Sequence, residues 1–271
     1  MTPLRPAALP MYDLPELRPA NEALWGGIAR HLRAAGVAAV PDALTRPDDL
    51  HAFWRTPDLL LAQTCGYPLT TALEGAVRVV ATPRYAAAGC AGAWHGSVIV
   101  VRRNDPADGL ADLRGRVAAI NARDSNTGMN LFRAALAPVA EGRPVFARVI
   151  ETGAHAESLR AVAEGRADAA AIDCVTFAHL RRWRPAWAEA VRVLAETPAT
   201  PGLPLVTAAA TDDATVGALR DALAVVAGDP ALADARATLF LSGFDCLPQE
   251  AYARVTELAD EAARLGYAEL A

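Results

Sequence analysis

Short apolar runs alternate with stretches of helical periodicity along most of the chain. Residues 76–85 and 96–103 are runs of the first kind, and their length and β-branched content predict buried strands. Residues 20–35 are of the second kind, with apolar positions three or four residues apart, which predicts an amphipathic helix. Alternation of this kind predicts an α/β fold with mainly parallel sheets.

The same pattern extends to the rest of the chain. It predicts further strands at 7–14, 58–63, 116–121, 145–152, 168–174, 190–197 and 205–211, and further helices from about 126 and at 155–164, 175–183, 213–227 and 249–264. Residues 86–96 are expected to be a glycine-rich loop and 197–205 a proline-rich linker. Gly66 and Pro68 predict a turn before a short helix.

The strand pattern also predicts two domains. With 271 residues the chain is long enough for two folded parts. Apolar strands near 97–103 and 204–210 flank a middle block that resembles a domain of its own. We therefore expect a discontinuous first lobe of residues 1–98 and 206–271, and an inserted second lobe of residues 99–205. Two crossover strands would join the lobes, with the ligand between them.

Composition narrows the class of protein. The hydrophobic fraction of 53% excludes a largely disordered chain. No apolar run approaches the roughly 20 residues of a transmembrane helix. A net charge of −5 without a basic block argues against a nucleic-acid partner. The first 17 residues do not resemble a secretory signal, so both a periplasmic and a cytoplasmic location stay open.

Polar side chains follow the predicted strands of the middle block. Ser125, Asn126 and Thr127 stand where a strand gives way to a helix, and their hydrogen-bond donors, with the N–H groups of the helix start, suit an anion. The alternative is an ordinary helix cap, by Asp124 or Ser125, which needs only one such side chain.

His155 follows a predicted strand, and Asp173 lies at the end of another. His155 can donate to an oxyanion, whereas Asp173 can accept from a protonated oxyanion or pair with an ammonium group of the ligand. The alternatives are a surface or capping histidine, and an aspartate that caps helix 175–183. As residues at an exposed rim, both are expected to change stability by only about 1 kcal/mol when replaced by alanine.

Two tyrosines lie at the exits of predicted strands of the first lobe. Tyr67 and Tyr85 could each close over a ligand and donate one hydrogen bond, or could simply pack at an edge.

The four cysteines, at positions 65, 90, 174 and 246, have no metal-binding spacing. Buried inert thiols are the default, and a Cys65–Cys90 disulfide is the alternative for an exported protein. A thiol enzyme with Cys174 as nucleophile and His155 as base is conceivable. Because side chains alternate along a strand, however, Cys174 should face the protein when Asp173 faces the rim.

The chain resembles the phosphate- and phosphonate-type substrate-binding proteins of ABC transporters, which have the type II periplasmic-binding-protein fold. The resemblance covers residues 7–265 and depends on QTCGYPL (63–69), VVATPRY (79–85), DLRGRVAAIN (112–121), DSNTGMNLFR (124–133), TGAHAESLRAVAEGRADAAAIDCVTF (152–177) and LPLVTAA (203–209). It implies two α/β lobes that close by a hinge. It also implies ligand contacts from Tyr67 and Tyr85 in the first lobe and from Ser125, Asn126, Thr127, His155 and Asp173 in the second.

We therefore predict a solute-binding protein without enzymatic activity, metal or cofactor, which binds phosphate, phosphite, phosphonate or a similar small oxyanion. Its expected partner is an ABC permease, and it is expected to be a monomer. Two alternatives remain: a sensory receptor, with Cys65 contacting arsenite, and a cytosolic enzyme using Cys174 and His155.

Overall fold

The computed structural model describes residues 4–271. The chain divides into two compact units. The first unit contains the residues up to Ala86 together with Pro201–Ala251. The second contains Ala87–Thr200 and Tyr252–Ala271. The chain therefore passes from one unit to the other three times, whereas the sequence pattern predicts two crossovers.

Helices and strands alternate over the described residues. The helices are α1 (Arg18–Ala34), α2 (Leu50–Trp54), α3 (Gly66–Thr70), α4 (Leu131–Ala140), α5 (His155–Ala163), α6 (Cys174–Trp183), α7 (Pro185–Glu189), α8 (Asp213–Gly228), α9 (Ala233–Thr238) and α10 (Ala253–Arg264). The strands are β1 (Ala7–Ala8), β2 (Leu61–Gln63), β3 (Val77–Tyr85), β4 (Cys90–Ala91), β5 (Trp94–His95), β6 (Ser97–Arg102), β7 (Val117–Ile120), β8 (Arg148–Glu151), β9 (Ala169–Asp173), β10 (Val191–Glu196), β11 (Thr200–Pro201), β12 (Leu205–Ala208) and β13 (Leu241–Asp245).

The first unit is built on a five-stranded sheet of order β1-β2-β12-β3-β13. Only β1 and β2 pair in parallel; the pairings of β12 with β2 and β3, and of β13 with β3, are antiparallel. Helix α1 packs against α8 and α9. The apolar face predicted for residues 20–35 is the buried one, because Leu24, Ile28 and Leu32 are all buried.

The second unit contains a five-stranded sheet of order β10-β6-β9-β7-β8. Strand β7 pairs in parallel with β8 and with β9, while β6 runs antiparallel to β9 and to β10. The α/β class predicted from the sequence is confirmed. The sheets are mixed rather than mainly parallel. The sequence could not show this, because an apolar run predicts a strand but carries no information on the direction of that strand.

The last twenty residues belong to the second unit, although the sequence pattern placed them in the first lobe. Asn130 Nδ2 donates to the Val255 carbonyl over 3.0 Å. The backbone N–H groups of Val145 and Phe146 donate to the Ala271 oxygen. Helix α10 packs on α4 and buries the face with Val255, Leu258 and Ala262.

Several elements differ from their predicted extent. Strand β1 is two residues long, because Pro10 lies where it would continue and lacks a backbone N–H. Gly66 and Pro68 lie inside α3 rather than in a turn before it. The predicted loop 86–96 contains the antiparallel β4–β5 hairpin. Between residues 4 and 271, no helix combines the length and apolarity that a membrane span requires.

Candidate ligand-binding site

Three parallel strands bring polar segments to one edge of the second sheet. Because β7, β8 and β9 run in the same direction, the residues that follow them meet at their carboxyl ends. Ser97, the first residue of the antiparallel β6, is the Cα partner of Asp173 at this edge. The edge therefore joins the segments that contain Ser125, His155 and Asp173.

The helix that follows β7 begins with a π-helical turn, Asn126–Asn130, which continues directly into α4. The Ser125 hydroxyl accepts a hydrogen bond from the Gly128 N–H over 3.0 Å, so Ser125 is the cap. This bond engages one of the backbone donors that a helix start leaves without an intrahelical partner. Single π-helical turns are frequently found at functional sites.

Asn126 takes part in an internal hydrogen-bond network. Its Nδ2 donates to the Thr200 hydroxyl over 2.9 Å, and its Oδ1 accepts from Asn130 Nδ2 over 3.0 Å. The Asn130 carbonyl oxygen Oδ1 accepts in turn from Arg133, which also donates to Ala268. Both ends of the Asn126 amide are thus engaged by the protein, and the residue is only 2% exposed.

Thr127 and His155 connect the two helix starts. Thr127 Oγ1 lies 3.0 Å from His155 Nε2, and the Thr127 carbonyl accepts from Ser97 Oγ over 2.7 Å. Burial lowers the pKa of His155, although the charge of Asp173 opposes this effect, so the imidazole is held in its neutral form. A neutral ring can donate through one nitrogen and accept through the other.

Gly128 allows these side chains to approach the helix start closely. A Cβ atom at this position would lie 1.8 Å from Asn121 Oδ1 and 3.0 Å from His155 Cε1. Asn121 Oδ1 is itself buried and has no hydrogen-bond partner within residues 4–271. The helix start is therefore packed on one side by an amide and on the other by an imidazole.

Asp173 is buried rather than exposed at a rim. Its Oδ2 lies 3.0 Å from His95 Nε2, and its Oδ1 accepts from the Thr176 N–H over 2.9 Å. Burial alone would raise the pKa of Asp173, but the charge of His95 and its hydrogen bond lower it to about 2. Burial would lower the pKa of His95, but the charge of Asp173 and its hydrogen bond raise it. The expectation of an exposed carboxylate is wrong, since Asp173 is 1% exposed and both caps α6 and pairs with His95.

Sequence reasoning missed His95. This residue lies in β5, a two-residue strand of a hairpin that shows no sequence periodicity. The one available signal was Asp173 itself, because a carboxylate at the end of an alanine-rich buried strand requires a charged or hydrogen-bonded partner.

The two tyrosines lie in the first unit. Tyr85, at the end of β3, accepts a hydrogen bond from Gln63 Nε2 over 3.2 Å, and its ring meets that of Tyr12 edge-on at 5.1 Å. Tyr12, Gln63 and Tyr85 line a mainly apolar cavity together with residues of α1. Tyr67 is half-buried on α3. Within the first unit, therefore, Tyr85 is held by contacts on more than one side.

Cys174 is not positioned as a thiol nucleophile with His155 as its base. Cys174 is 3% exposed and its Sγ lies 3.6 Å from Cys90 Sγ, not beside His155 Nε2, which contacts Thr127. Its contact with Cys90 and its burial raise the pKa of Cys174 far above the ordinary thiol value. Cys90 therefore faces Cys174, whereas the sequence suggested a disulfide with Cys65. Among the described side chains, no group of three or more His, Cys, Asp or Glu residues could hold a metal ion.

One family profile matches most of the chain. It is described as the periplasmic substrate-binding protein of phosphonate ABC transporters, and it matches residues 32–252. No functionally curated protein matches the chain significantly.

Solved structures with the same fold include three with nearly complete coverage. PhnD1 from Prochlorococcus marinus, in complex with methylphosphonate, is 13% identical with a TM-score of 0.76, covering 96% of this chain and 98% of its own. A binding protein component of an ABC phosphonate transporter from Pseudomonas aeruginosa is 17% identical with a TM-score of 0.75, covering 97% and 87%. A Xanthomonas citri protein bound to ATP is 18% identical with a TM-score of 0.73, covering 97% and 98%. The predicted fold class, that of the periplasmic binding proteins, is confirmed.

Proposed function

The chain belongs to the family of periplasmic substrate-binding proteins of phosphonate ABC transporters, and we propose that the polar cluster of its second unit binds the oxyanion end of the ligand. The chain is a solute-binding protein for a small oxyanion-like ligand, as predicted. The cluster consists of Ser125, Thr127 and His155 at two helix starts, with Asp173 and His95 beside them.

The contact between Thr127 and His155 carries this proposal. It holds a hydroxyl and an imidazole together at the start of a helix that runs through residues 126–140. A helix start favours negative charge through its N–H groups and its dipole. A hydroxyl and a neutral imidazole add donors without requiring a second charge.

Asp173 contributes through its charge balance with His95. A lone carboxylate would repel an oxyanion, but the proton on His95 compensates it over 3.0 Å. The pair therefore adds little net charge beside the ligand. A direct hydrogen bond from a protonated ligand to Asp173 would have to be added to the bonds with His95 and Thr176.

Asn126, Tyr67 and Tyr85 stay proposed ligand-binding residues on the family resemblance. Asn126 is proposed to act mainly by holding the helix start, because both ends of its amide are engaged. The closing of two lobes over the ligand also stays a prediction of that resemblance.

In the proposed role, the protein binds and delivers its ligand without changing it chemically. The family works with an ABC transporter and is not a class of enzymes. We extend this to the chain as a monomer that presents its ligand to a permease and has no nucleic-acid partner. The net charge of −5, spread without a basic block, is consistent with this role.

The test is calorimetric titration of the full chain with methylphosphonate, phosphate and phosphite. Thr127→Val removes the hydroxyl at nearly constant volume and should weaken binding about tenfold or more, the effect of one lost hydrogen bond to a charged group. Thr256→Val is the matched control, because its hydroxyl lies on the exposed side of α10. Equal affinity in the two variants, or no binding of any of the three anions, would refute the proposal.

A further inference from the structure

Two cysteine sulfurs lie in contact beside the polar cluster. Cys90 Sγ and Cys174 Sγ are 3.6 Å apart. Cys90 belongs to the β4–β5 hairpin and is half-buried, whereas Cys174 begins α6 and is buried. A disulfide requires about 2.05 Å between the sulfurs, so a closing movement of about 1.5 Å would join them.

Gly89 makes this approach possible. Its φ of +91° lies in the left-handed region, where residues with a side chain are strained. A Cβ atom at residue 89 would lie 3.0 Å from Cys174 Cβ and 3.3 Å from Cys174 Sγ. The hairpin can therefore bring Cys90 against the start of α6 only because residue 89 is glycine.

The two thiols have different chemical properties. The hydrogen bond with Cys174 and the charge of His95 lower the pKa of Cys90 to about 7, against the effect of burial. The pKa of Cys174 is raised by the same contact and by burial. Because the thiolate is the attacking species, Cys90 is suited to react first and Cys174 to react second.

We propose that Cys90 and Cys174 form an oxidation site, a dithiol that a small disulfide such as oxidised glutathione converts into an intramolecular disulfide. The Cys90 thiolate attacks one sulfur of the oxidant, which forms a mixed disulfide and releases one thiolate. The Cys174 sulfur, as it loses its proton, attacks the Cys90 sulfur and displaces the second thiolate. Two protein thiols are thereby oxidised, one oxidant disulfide is reduced, and the two protons pass to the departing thiolates.

This site adjoins the residues that balance charge at the candidate ligand site. Cys174 directly follows Asp173, and Cys90 is the cross-strand partner of His95 in the hairpin. A disulfide between the two sulfurs would therefore join the residue that follows Asp173 to the residue that pairs with His95 across the hairpin.

The experiment uses the full chain, first reduced, then incubated with oxidised glutathione and alkylated before unfolding. Tryptic digestion releases Cys90 in peptide 85–102 and Cys174 in peptide 167–181, because both are bounded by arginines. We expect these peptides to be linked, with a combined mass lower by two hydrogen atoms. The yield of the linked peptides should be the same in the wild type and in Cys246→Ser, which removes an exposed cysteine.

A second variant separates the two steps. Cys174→Ser should accumulate the mixed disulfide of Cys90 with glutathione, which the wild type resolves. The proposal is overturned if both cysteines remain alkylated after oxidation of the wild type. It is also overturned if the wild type and Cys174→Ser retain equal amounts of glutathione on Cys90, or if the unfolded chain forms the same link as efficiently as the folded one.

Discussion

At the scale of single residues, the Asp173–His95 pair changes what mutation of the site should do. An aspartate at an exposed rim would cost about 1 kcal/mol of stability when replaced, within the range of surface substitutions. Asp173 is 1% exposed, and its removal would leave His95, itself 3% exposed, without its partner. Breaking a buried pair in this way typically costs about 3–5 kcal/mol. Loss of ligand binding in an Asp173 variant must therefore be separated from loss of folding.

The Asp173–His95 pair should make the free energy of unfolding depend on pH. The pKa of Asp173 is about 2, below the unfolded value of about 3.9, so its contribution of about 2–3 kcal/mol is present above pH 4 and is lost as pH falls toward 2. The raised pKa of His95 acts in the opposite sense: its contribution is present below about pH 6.5 and is lost as pH rises through the folded value. The pair should therefore stabilise the fold most between about pH 4 and 6.5.

Urea unfolding of the wild type and Asp173→Asn across this range measures the effect. We expect the difference in unfolding free energy between them to shrink below about pH 4. Asp260→Asn, at an exposed carboxylate on α10, should follow the wild type. A difference in unfolding free energy between the wild type and Asp173→Asn that stays constant from pH 5 to 2 would contradict the lowered pKa of Asp173.

At the scale of elements, the sequence predicted those with a clear period and missed the others. The predicted helices 20–35, 155–164 and 175–183 agree with α1, α5 and α6 to within two residues at each end. The β4–β5 hairpin was missed because strands of two residues are too short to show alternation. The π-helical turn was missed because its apolar spacing does not differ from that of the helix it begins.

A substitution at Gly128 tests whether the start of the 126–140 helix takes part in ligand binding. Gly128→Ala places a Cβ where Asn121 Oδ1 lies, at 1.8 Å, and should displace Asn121 and weaken methylphosphonate binding at least several-fold. Gly217→Ala is the matched control, because a Cβ there meets no atom within 4 Å inside α8. The control should raise the unfolding free energy by about 0.5–1 kcal/mol. Calorimetry and urea unfolding measure both effects, and unchanged affinity in Gly128→Ala would show that the helix start is not used.

At the scale of the whole molecule, the sequence predicted two parts but not the full path of the chain between them. The amphipathic pattern of 249–264 predicts a helix with an apolar face. The pattern does not indicate which surface of the protein covers that face. The deciding contacts are that of Val255 with Asn130 and, beyond the helix, those of Ala271 with the backbone of Val145 and Phe146, all more than a hundred residues away in sequence. Long-range contacts of this kind leave no local signal.

Removal of residues 267–271 should destabilise the second unit selectively. The deletion removes Tyr267 and Leu270, both buried, and the Ala271 oxygen that accepts from Tyr267 over 2.6 Å and from Val145 and Phe146. Hydrogen exchange should become faster in peptides from 130–147 and stay unchanged in those from β3. Equal acceleration in both regions would show that the segment stabilises the molecule as a whole.

The position of α10 also has a consequence for how the protein is made. During synthesis domains tend to fold as soon as their sequence has left the ribosome, beginning at the N-terminus. Here the first unit is complete once residue 251 has been added, whereas the second, begun at residue 87, still lacks its last helix. A nascent chain must therefore carry the sheet of the second unit, with the α4 surface uncovered, until the final residues arrive. While that apolar surface is uncovered, it makes the nascent chain prone to aggregation.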